Sequence, residues 1–182
     1  MRQGCWRLRE RERVASEPEF SPTRLLPTLA KGGVDFVVVG GVAVVVQALP
    51  RYTKDLDITY ATNPDNLVAL GAVLNGVGAR LRGVDEDLPF VADARTLRQT
   101  QILTLETSLG ALDLLVNPPG APPYVQLRDR ADRIELDGVE VRIASIDDLI
   151  AMKQAAGRPQ DVVDIEALGI ARRRRGRRAR PR

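Results

Sequence analysis

The most constraining feature of this sequence is the stretch from residue 37 to residue 60, VVVGGVAVVVQALPRYTKDLDITY. It predicts a buried strand that ends at Gly40-Gly41, a short apolar helix, and a second strand that carries Asp55 and Asp57. Side chains two residues apart on a strand point to the same side, so we expect both carboxylates on one sheet face, about 7 Å apart.

The two halves of this stretch favour the same kind of chemistry. Gly40-Gly41 stands between a predicted strand and a predicted helix, where bare backbone N–H groups can receive phosphate oxygens. Asp55 and Asp57 repel each other, and a divalent cation between them would relieve that repulsion. A phosphate-binding turn followed by two metal-binding carboxylates predicts nucleotide chemistry.

Four motifs, in this order, resemble the nucleotidyltransferase superfamily related to DNA polymerase beta, and within it the AbiE-type and MenT-type nucleotidyltransferase toxins. They are Gly40-Gly41, residues 51–57 (RYTKDLD), residues 112–116 (LDLLV), and the pair of segments 145–153 (SIDDLIAMK) and 157–164 (GRPQDVVD). The resemblance covers residues 26–168. Many relatives have Gly-Ser in place of Gly40-Gly41, and Thr53 is a candidate to supply the missing hydroxyl.

This resemblance implies transfer of a nucleoside monophosphate from a nucleoside triphosphate to an acceptor hydroxyl, with release of pyrophosphate. Asp55 and Asp57 would hold two Mg²⁺ ions, while Asp113 would complete the second metal site and assist deprotonation of the acceptor. The phosphates would be seated by Gly40, Gly41 and Thr53. The toxin branch further implies tRNA as acceptor, its 3′ end blocked by nucleotides from CTP or UTP, and a cognate antitoxin.

Four of these residues have alternative interpretations. Asp113 is either a metal ligand or an edge-strand charge, and it reaches the Asp55 strand only if the two strands pair. Lys153 is either a solvated helix-end cation or a cation for the triphosphate. Arg158 is either the partner of Asp161 or Asp164 or a nucleotide contact. Arg51 either balances the charge of the carboxylate strand or touches phosphate.

The composition excludes several other kinds of chemistry. The chain has no histidine, so histidine-based general-base and zinc chemistry are excluded. Cys5 is the single cysteine, which excludes an internal disulfide and is typical of a reducing cytoplasm. No apolar run is long enough to span a membrane, and the N-terminal segment has no secretory pattern. We therefore expect a cytoplasmic protein.

The charge is distributed unevenly along the chain. Residues 172–182 (RRRRGRRARPR) contain eight arginines and no acid, and removing them from a net charge of +3 leaves −5. We expect a disordered extension at 1–13, one domain at 14–171 and a disordered arginine-rich tail at 172–182. Such a tail either contacts RNA phosphates or serves only as a solvated appendage.

Together these patterns predict a single α/β (α+β) nucleotidyltransferase domain with a mixed, twisted sheet flanked by helices. Two functions other than tRNA modification stay open. An acidic body fits an antibiotic nucleotidyltransferase whose substrate is a cationic drug of the aminoglycoside kind. A degenerate, non-catalytic RNA-binding subunit is the non-enzymatic alternative.

Overall fold

The computed structural model describes residues 19–84 and 90–178. In these ranges the helices are α1 (Pro22–Lys31), α2 (Gly40–Gln47), α3 (Pro64–Gly76), α4 (Ala94–Gln99), α5 (Tyr124–Arg130), α6 (Ile146–Ala156) and α7 (Pro159–Arg178). The strands are β1 (Phe36–Val39), β2 (Asp55–Tyr60), β3 (Arg80–Leu81), β4 (Ile102–Thr107), β5 (Gly110–Leu115), β6 (Asp132–Leu136) and β7 (Val139–Ile143). The extension predicted at 1–13, with Cys5, lies outside the described residues.

The strands form one mixed sheet in the order β3-β4-β5-β2-β1-β7-β6. β1 runs antiparallel to β2, whereas β2 is parallel to β5 and β1 is parallel to β7. This architecture confirms the predicted α/β (α+β) class. It also places β5 inside the sheet, between β4 and β2, so the interpretation of Asp113 as an edge-strand charge is wrong.

The apolar run before Gly40 forms the centre of the core. All four residues of β1 are buried, as expected for a strand covered on both faces. On the next strand Leu56 and Ile58 are fully buried, and they alternate with Asp55 and Asp57. One face of β2 therefore packs into the core while the other carries the two carboxylates to an open cleft.

A buried asparagine joins the central strands to α3. The Asn66 side chain is 4% exposed; it accepts from the Asp35 N–H at 2.7 Å and donates to the carbonyls of Asp35 and Ala61 at 3.0 and 2.7 Å. These bonds tie the chain just before β1 to the chain just after β2. Because the bonded groups are backbone groups, Asn66 fixes how the two strands enter and leave the sheet.

Most predicted elements are confirmed, but two helices were missed. The segment 82–95 is charged and broken by Gly83 and Pro89, which predicts a connecting loop. α4 nevertheless begins within it, because the Asp93 side chain accepts the Thr96 N–H at 2.7 Å and caps the helix. Residues 85–89 of that expected loop lie outside the described part of the chain. The second missed helix is α5, a single short element after the proline-rich linker.

The predicted disorder of the tail is wrong for residues 172–178. α7 was expected to end near Ala171, but it continues without interruption to Arg178. Arginine is a good helix former, cations are favoured at a helix C-terminus, and Arg172 and Arg175 bind carboxylates of the folded body. Residues 179–182 lie outside the described range. No helix in the described ranges is long and apolar enough to cross a membrane.

Candidate active site

A cleft of about 770 Å³ opens beside the carboxylate-bearing face of β2. Its walls are the β1–α2 turn, the loop before β2, the strands β2 and β5, and the facing ends of α6 and α7. The cleft brings together all nine residues that the sequence predicts for the site: Gly40, Gly41, Arg51, Thr53, Asp55, Asp57, Asp113, Lys153 and Arg158.

The three aspartates share one face of the sheet. β2 and β5 are parallel and in register, with Asp57 opposite Asp113, and Asp113 is opposite Thr104 on β4. Neighbouring strands lie about 4.8 Å apart, so the transverse row Asp57–Asp113–Thr104 crosses three adjacent strands. Asp55 lies one pleat away from Asp57 on the same face. The strand pairing on which the placement of Asp113 depended is thus present.

The closeness of Asp57 requires a glycine at position 40. Gly40 has φ +60°, and a β-carbon there would lie 1.9 Å from Oδ2 of Asp57. The next residue, Gly41, donates its N–H to the same oxygen at 3.4 Å. The N-terminus of α2 therefore faces a negatively charged oxygen, as expected of a turn that can receive phosphate.

Thr53 lies against the second glycine. A β-carbon at Gly41 would be 2.5 Å from Oγ1 of Thr53, so the threonine hydroxyl fills the space where a side chain at position 41 would begin. Oγ1 also lies 3.3 Å from the carbonyl oxygen of Asp55 and 3.4 Å from its Oδ1. This arrangement places a hydroxyl at the mouth of the glycine turn.

The carboxylates on this face are partly buried and repel one another. Burial, with repulsion from Asp55 and Asp113, raises the pKa of Asp57 from 3.8 to about 6 against the opposing effects of the Gly41 N–H and Lys153. Burial also raises the pKa of Asp113, although the Arg82 guanidinium opposes that rise. Excess negative charge therefore gathers at one end of the cleft, where a divalent cation would be stabilised.

Arg82 is a site residue that the sequence analysis missed. Its Nη2 lies 2.5 Å from Oδ1 of Asp113, and its backbone N–H donates to the Thr104 carbonyl at 2.9 Å. Arg82 thus extends the row of side chains beyond β4. The available signal was the alternation Arg80-Leu81-Arg82, which is typical of a short strand with both arginines on one face.

Lys153 is held by two carboxylates of α7. Its Nζ lies 2.8 Å from both Asp161 Oδ1 and Asp164 Oδ2, and its side chain is 11% exposed. The interpretation of Lys153 as a solvated helix-end cation is therefore wrong. Burial alone would raise the pKa of Asp161, but the hydrogen bond from Lys153 and the Arg158 N–H lower it overall.

Arg51 joins the same network. Its Nη2 donates to Asp164 Oδ2 at 3.1 Å, while Nε lies 3.0 Å from Asp164 Oδ1 without hydrogen-bond geometry. The expectation that Arg51 simply balances the β2 carboxylates is corrected by this pairing, because its guanidinium reaches across the cleft to α7. The two cations and two anions together form a neutral cluster on the cleft floor.

Arg158 differs from the other two cations. Its backbone N–H donates to Asp161 Oδ2 at 3.0 Å, but no described carboxylate lies within 4.0 Å of its guanidinium. The predicted side-chain pairing with Asp161 or Asp164 is wrong, since Lys153 occupies both carboxylates. Arg158 is exposed and lines the cleft, and its charge reaches Asp113. It is therefore available for an anionic ligand.

An apolar wall borders the charged part of the cleft. Ile102 on β4 is 61% exposed and is paired in register with Leu115, and the linker residues Pro118 and Pro119 continue this surface. Tyr52, at the opposite rim, is 80% exposed. An exposed aromatic ring beside a phosphate-binding turn is suited to stacking on a base or another flat group.

The carboxylates fit Mg²⁺ in their chemistry but do not form a closed three-ligand cluster. Oxygen ligands from Asp55 and Asp57 are the kind that Mg²⁺ prefers, and a cation beside them would offset the burial and the carboxylate repulsion that raise the pKa of Asp57. In the described residues no group of three acidic, histidine or cysteine side chains has metal-binding spacing. The third carboxylate on this face, Asp113, is instead paired with Arg82.

The fold and the cleft define a nucleotidyltransferase-like domain. The family described as "Nucleotidyltransferase of unknown function (DUF6036)" matches residues 25–174. The chain belongs to this family. No curated protein sequence matches the chain at a significant level.

Several solved structures match this chain at low sequence identity. The lincomycin-bound lincosamide antibiotic adenylyltransferase LnuA has a TM-score of 0.57 and 15% identity over 83% of this chain and 98% of its own. An antigenic nucleotidyltransferase-like protein from Paracoccidioides brasiliensis has a TM-score of 0.48 and 18% identity over 80% and 72% of the two chains. For ANT(2")-Ia with adenylyl-2"-tobramycin the values are 0.47, 18%, 85% and 95%. The first comparison shows a common fold.

Proposed function

We propose that this protein is a metal-dependent nucleotidyltransferase that moves a nucleoside monophosphate from a nucleoside triphosphate to an acceptor hydroxyl. The observation that carries the proposal is the contact between the turn at Gly40-Gly41 and the carboxylates of the neighbouring strands, Asp57 and Asp113. Gly41 N–H meets Asp57, and Asp57 lies in register with Asp113, so a phosphate seat and two acidic strands open into one cleft.

The triphosphate has a seat formed from this chain's own groups. The N–H groups at the start of α2 and the Thr53 hydroxyl face the incoming phosphates, and Arg158 supplies a cation without a carboxylate partner among the described residues. Lys153 and Arg51 add positive potential from the cleft floor, although Asp161 and Asp164 neutralise them at short range. Positioning and charge neutralisation supply the catalysis that such a site can offer.

Asp55 and Asp57 would hold Mg²⁺, with Asp113 joining them once its contact with Arg82 opens. Bound at these carboxylates, Mg²⁺ supplies charge neutralisation for the triphosphate and for the departing pyrophosphate. The same sharing of ligands would accommodate a second ion, since Asp55 and Asp57 project from one strand face.

The transfer step is a displacement at the α-phosphorus of the nucleoside triphosphate. The acceptor oxygen forms a bond to the α-phosphorus, and the bond from that phosphorus to the bridging oxygen breaks. The electron pair leaves with pyrophosphate, and the proton of the hydroxyl passes to the carboxylate of Asp113. Asp113 suits this role because burial raises its pKa and because it stands at the end of the carboxylate row.

For the acceptor we propose the 3′ end of tRNA, extended by nucleotides from CTP or UTP, in a toxin that is neutralised by a cognate antitoxin. The motif resemblance supports the toxin assignment, and the arginines that follow Ala171 support a polyanionic partner. An exposed Tyr52 and the wall at Ile102 offer surfaces on which terminal bases can stack.

One observation favours a second candidate acceptor. The structure with the shared fold is described as an antibiotic adenylyltransferase, and the body of this chain without its arginine-rich end has a net charge of −5. A cationic or amphiphilic drug could enter between Tyr52 and Pro119. In this case the acceptor is a hydroxyl of the drug.

A labelled-transfer experiment distinguishes the acceptors. Each of the four α-³²P nucleoside triphosphates is incubated with Mg²⁺, the protein, and either total tRNA, an aminoglycoside or a lincosamide. Label on tRNA that is lost after removal of its 3′-terminal nucleotides supports the tRNA proposal. Label on a drug alone supports the second candidate, and no label with any acceptor, by a protein shown to be folded, contradicts the proposed activity.

A further inference from the structure

We propose that Arg173, Arg174 and Arg177 form a phosphate-binding edge on α7 that holds the sugar-phosphate backbone of the acceptor RNA. This inference rests on the proposed function in one respect, since it takes the acceptor to be RNA. It adds a place on the fold to that proposal, because the edge lies outside the cleft.

The edge is ordered because two neighbouring arginines are anchored. Arg175 Nη1 lies 2.7 Å from Asp132 Oδ2, and its Nη2 donates to Gln47 Oε1 at 2.6 Å. Arg172 Nη1 lies 3.0 Å from Asp147 Oδ1 at the start of α6. These contacts attach the last turns of α7 to β6, α2 and α6.

The Arg175 anchor combines an ion pair with a hydrogen bond to a buried side chain. Burial alone would raise the pKa of Asp132, but the hydrogen bonds from Arg175 and Gln47 lower it overall. Gln47 is 5% exposed and also donates to the Ala144 carbonyl at 2.7 Å, so the contact is continuous with the core. Arg175 thus serves the fold through its ion pair with Asp132 and its hydrogen bond to Gln47.

The other arginines of this segment carry uncompensated charge. Arg173, Arg174 and Arg177 are exposed, and within the described ranges no carboxylate lies within 4.0 Å of them. Arg173 and Arg177 are four residues apart and Arg174 and Arg177 are three apart, so their like charges repel on the helix surface. A polyanion lying along this edge would relieve the repulsion.

The chemistry of the edge favours a nucleic acid over a lipid surface. After Ala171 the described part of α7 contains only arginine and glycine, so the helix end has no apolar face to enter a bilayer. Guanidinium groups bind phosphate oxygens in a bidentate manner, and a row of them suits a chain of phosphates. The edge presents only guanidinium groups, which bind the phosphates of any nucleotide, so binding is expected to depend on the backbone more than on the sequence.

The edge and the cleft lie at opposite ends of one rigid element. Asp161 in the first turn of α7 lines the cleft, and Arg177 is sixteen residues further along the same helix. At 1.5 Å per residue the separation is about 24 Å, roughly seven nucleotide steps of 3.4 Å. An RNA held at the edge can therefore reach the cleft with its terminus.

The test measures RNA binding separately from transfer. Unfractionated tRNA is titrated at several salt concentrations into the full chain carrying Asp55→Ala, so that no nucleotide is transferred. The test variant adds Arg173→Gln, Arg174→Gln and Arg177→Gln. The matched control instead adds Arg24→Gln, Arg95→Gln and Arg98→Gln, which remove three exposed arginines outside the cleft and α7. A third variant instead adds Arg173→Lys, Arg174→Lys and Arg177→Lys.

The edge should account for about three phosphate contacts, and the log–log salt slope should therefore fall by roughly 2 to 3 in the test variant. Affinity at low salt should fall at least about tenfold, while the control keeps both affinity and slope, and the Arg→Lys variant keeps the slope because it keeps the three charges. Equal losses in test and control variants would overturn the edge, as would an unchanged test variant. Binding that is restricted to phosphatidylserine vesicles, without tRNA binding, would also overturn it.

These outcomes are distinguishable from a failure of the proposed function. A chain that binds tRNA through the edge but labels no acceptor in the transfer experiment leaves the edge standing and refutes the enzyme assignment. A chain that transfers nucleotides to a drug but does not bind tRNA refutes the edge and leaves the chemistry standing. Circular dichroism and the thermal unfolding midpoint establish that each variant is folded.

Discussion

The hydroxyl of Thr53 occupies the space in which a side chain at Gly41 would begin, with Oγ1 2.5 Å from the position of a β-carbon there. A hydroxyl near the glycine turn can thus come from position 53 or from position 41, but not from both. This relationship gives the first prediction.

Thr53→Ala should lower kcat/KM for the nucleotide about tenfold to a hundredfold, because it removes a hydrogen bond to a charged phosphate. Gly41→Ser in the parent should also lower it, because the new side chain collides with Thr53. The double variant Gly41→Ser with Thr53→Ala should have a higher kcat/KM than adding the two single losses predicts. The difference should correspond to a coupling free energy of at least about 1 kcal/mol. Additive losses would contradict the shared space.

A second prediction concerns pH and Asp57. Its pKa of about 6 in the folded chain, against 3.8 ordinarily, means that the folded state binds more protons than the unfolded state between these values. The free energy of unfolding should therefore fall as pH rises through this window. Asp57→Asn removes this effect.

Without metal, Asp57→Asn should match the parent near pH 4 and be more stable above pH 6, by on the order of 2 to 3 kcal/mol. Urea unfolding of both proteins at pH 4, 5, 6 and 7.5 measures the difference. Adding Mg²⁺ at pH 7.5 should stabilise the parent and have little effect on the variant. A stability difference that is constant with pH would refute the assigned cause.

The third prediction separates the cations of the cleft. Asp164→Asn removes a carboxylate that is 5% exposed and that binds both Lys153 and Arg51. Lys153 keeps Asp161, but Arg51 loses its carboxylate partner, so the free energy of unfolding should fall by about 3 kcal/mol. Arg158→Gln removes an exposed guanidinium and should leave stability unchanged while weakening triphosphate binding about tenfold. Urea unfolding and nucleotide titration of both variants provide the comparison. Equal stability losses would contradict it.

The fourth prediction concerns Arg82. Because its guanidinium contacts Asp113, Arg82→Gln should free that carboxylate and lower the Mg²⁺ concentration needed for half-maximal thermal stabilisation. Arg80→Gln, on β3 two residues before Arg82, serves as the matched control. An unchanged Mg²⁺ dependence in Arg82→Gln would show that the contact does not restrain Asp113.

The glycine turn and the carboxylate strand could be predicted because their signals are local. The run before Gly40 is apolar throughout and the Asp55–Asp57 spacing matches a strand, so a few residues carry each signal. The position of Asp113 could be predicted only conditionally, since it depends on the pairing of β2 with β5, which are more than fifty residues apart.

The charged contacts could not be predicted in the same way. Sequence spacing placed Asp161 and Asp164 on one face of α7 near Arg158, but in the structure Lys153 from the preceding helix binds both carboxylates. Arg51 likewise finds Asp164 across the cleft rather than the carboxylates next to it in sequence. Long, flexible cationic side chains choose partners by tertiary geometry, which composition and spacing do not encode. The same reason explains why residues 172–178 are helical.

The central claim is that Asp55 and Asp57 support nucleotide transfer in this cleft. The most direct measurement is incorporation of α-³²P from each nucleoside triphosphate into total tRNA, with Mg²⁺, by the parent chain and by Asp55→Ala. The account predicts label on tRNA with the parent, and with Asp55→Ala a loss of label although its circular dichroism and unfolding midpoint show an intact fold. Full transfer by the folded Asp55→Ala variant would contradict the account.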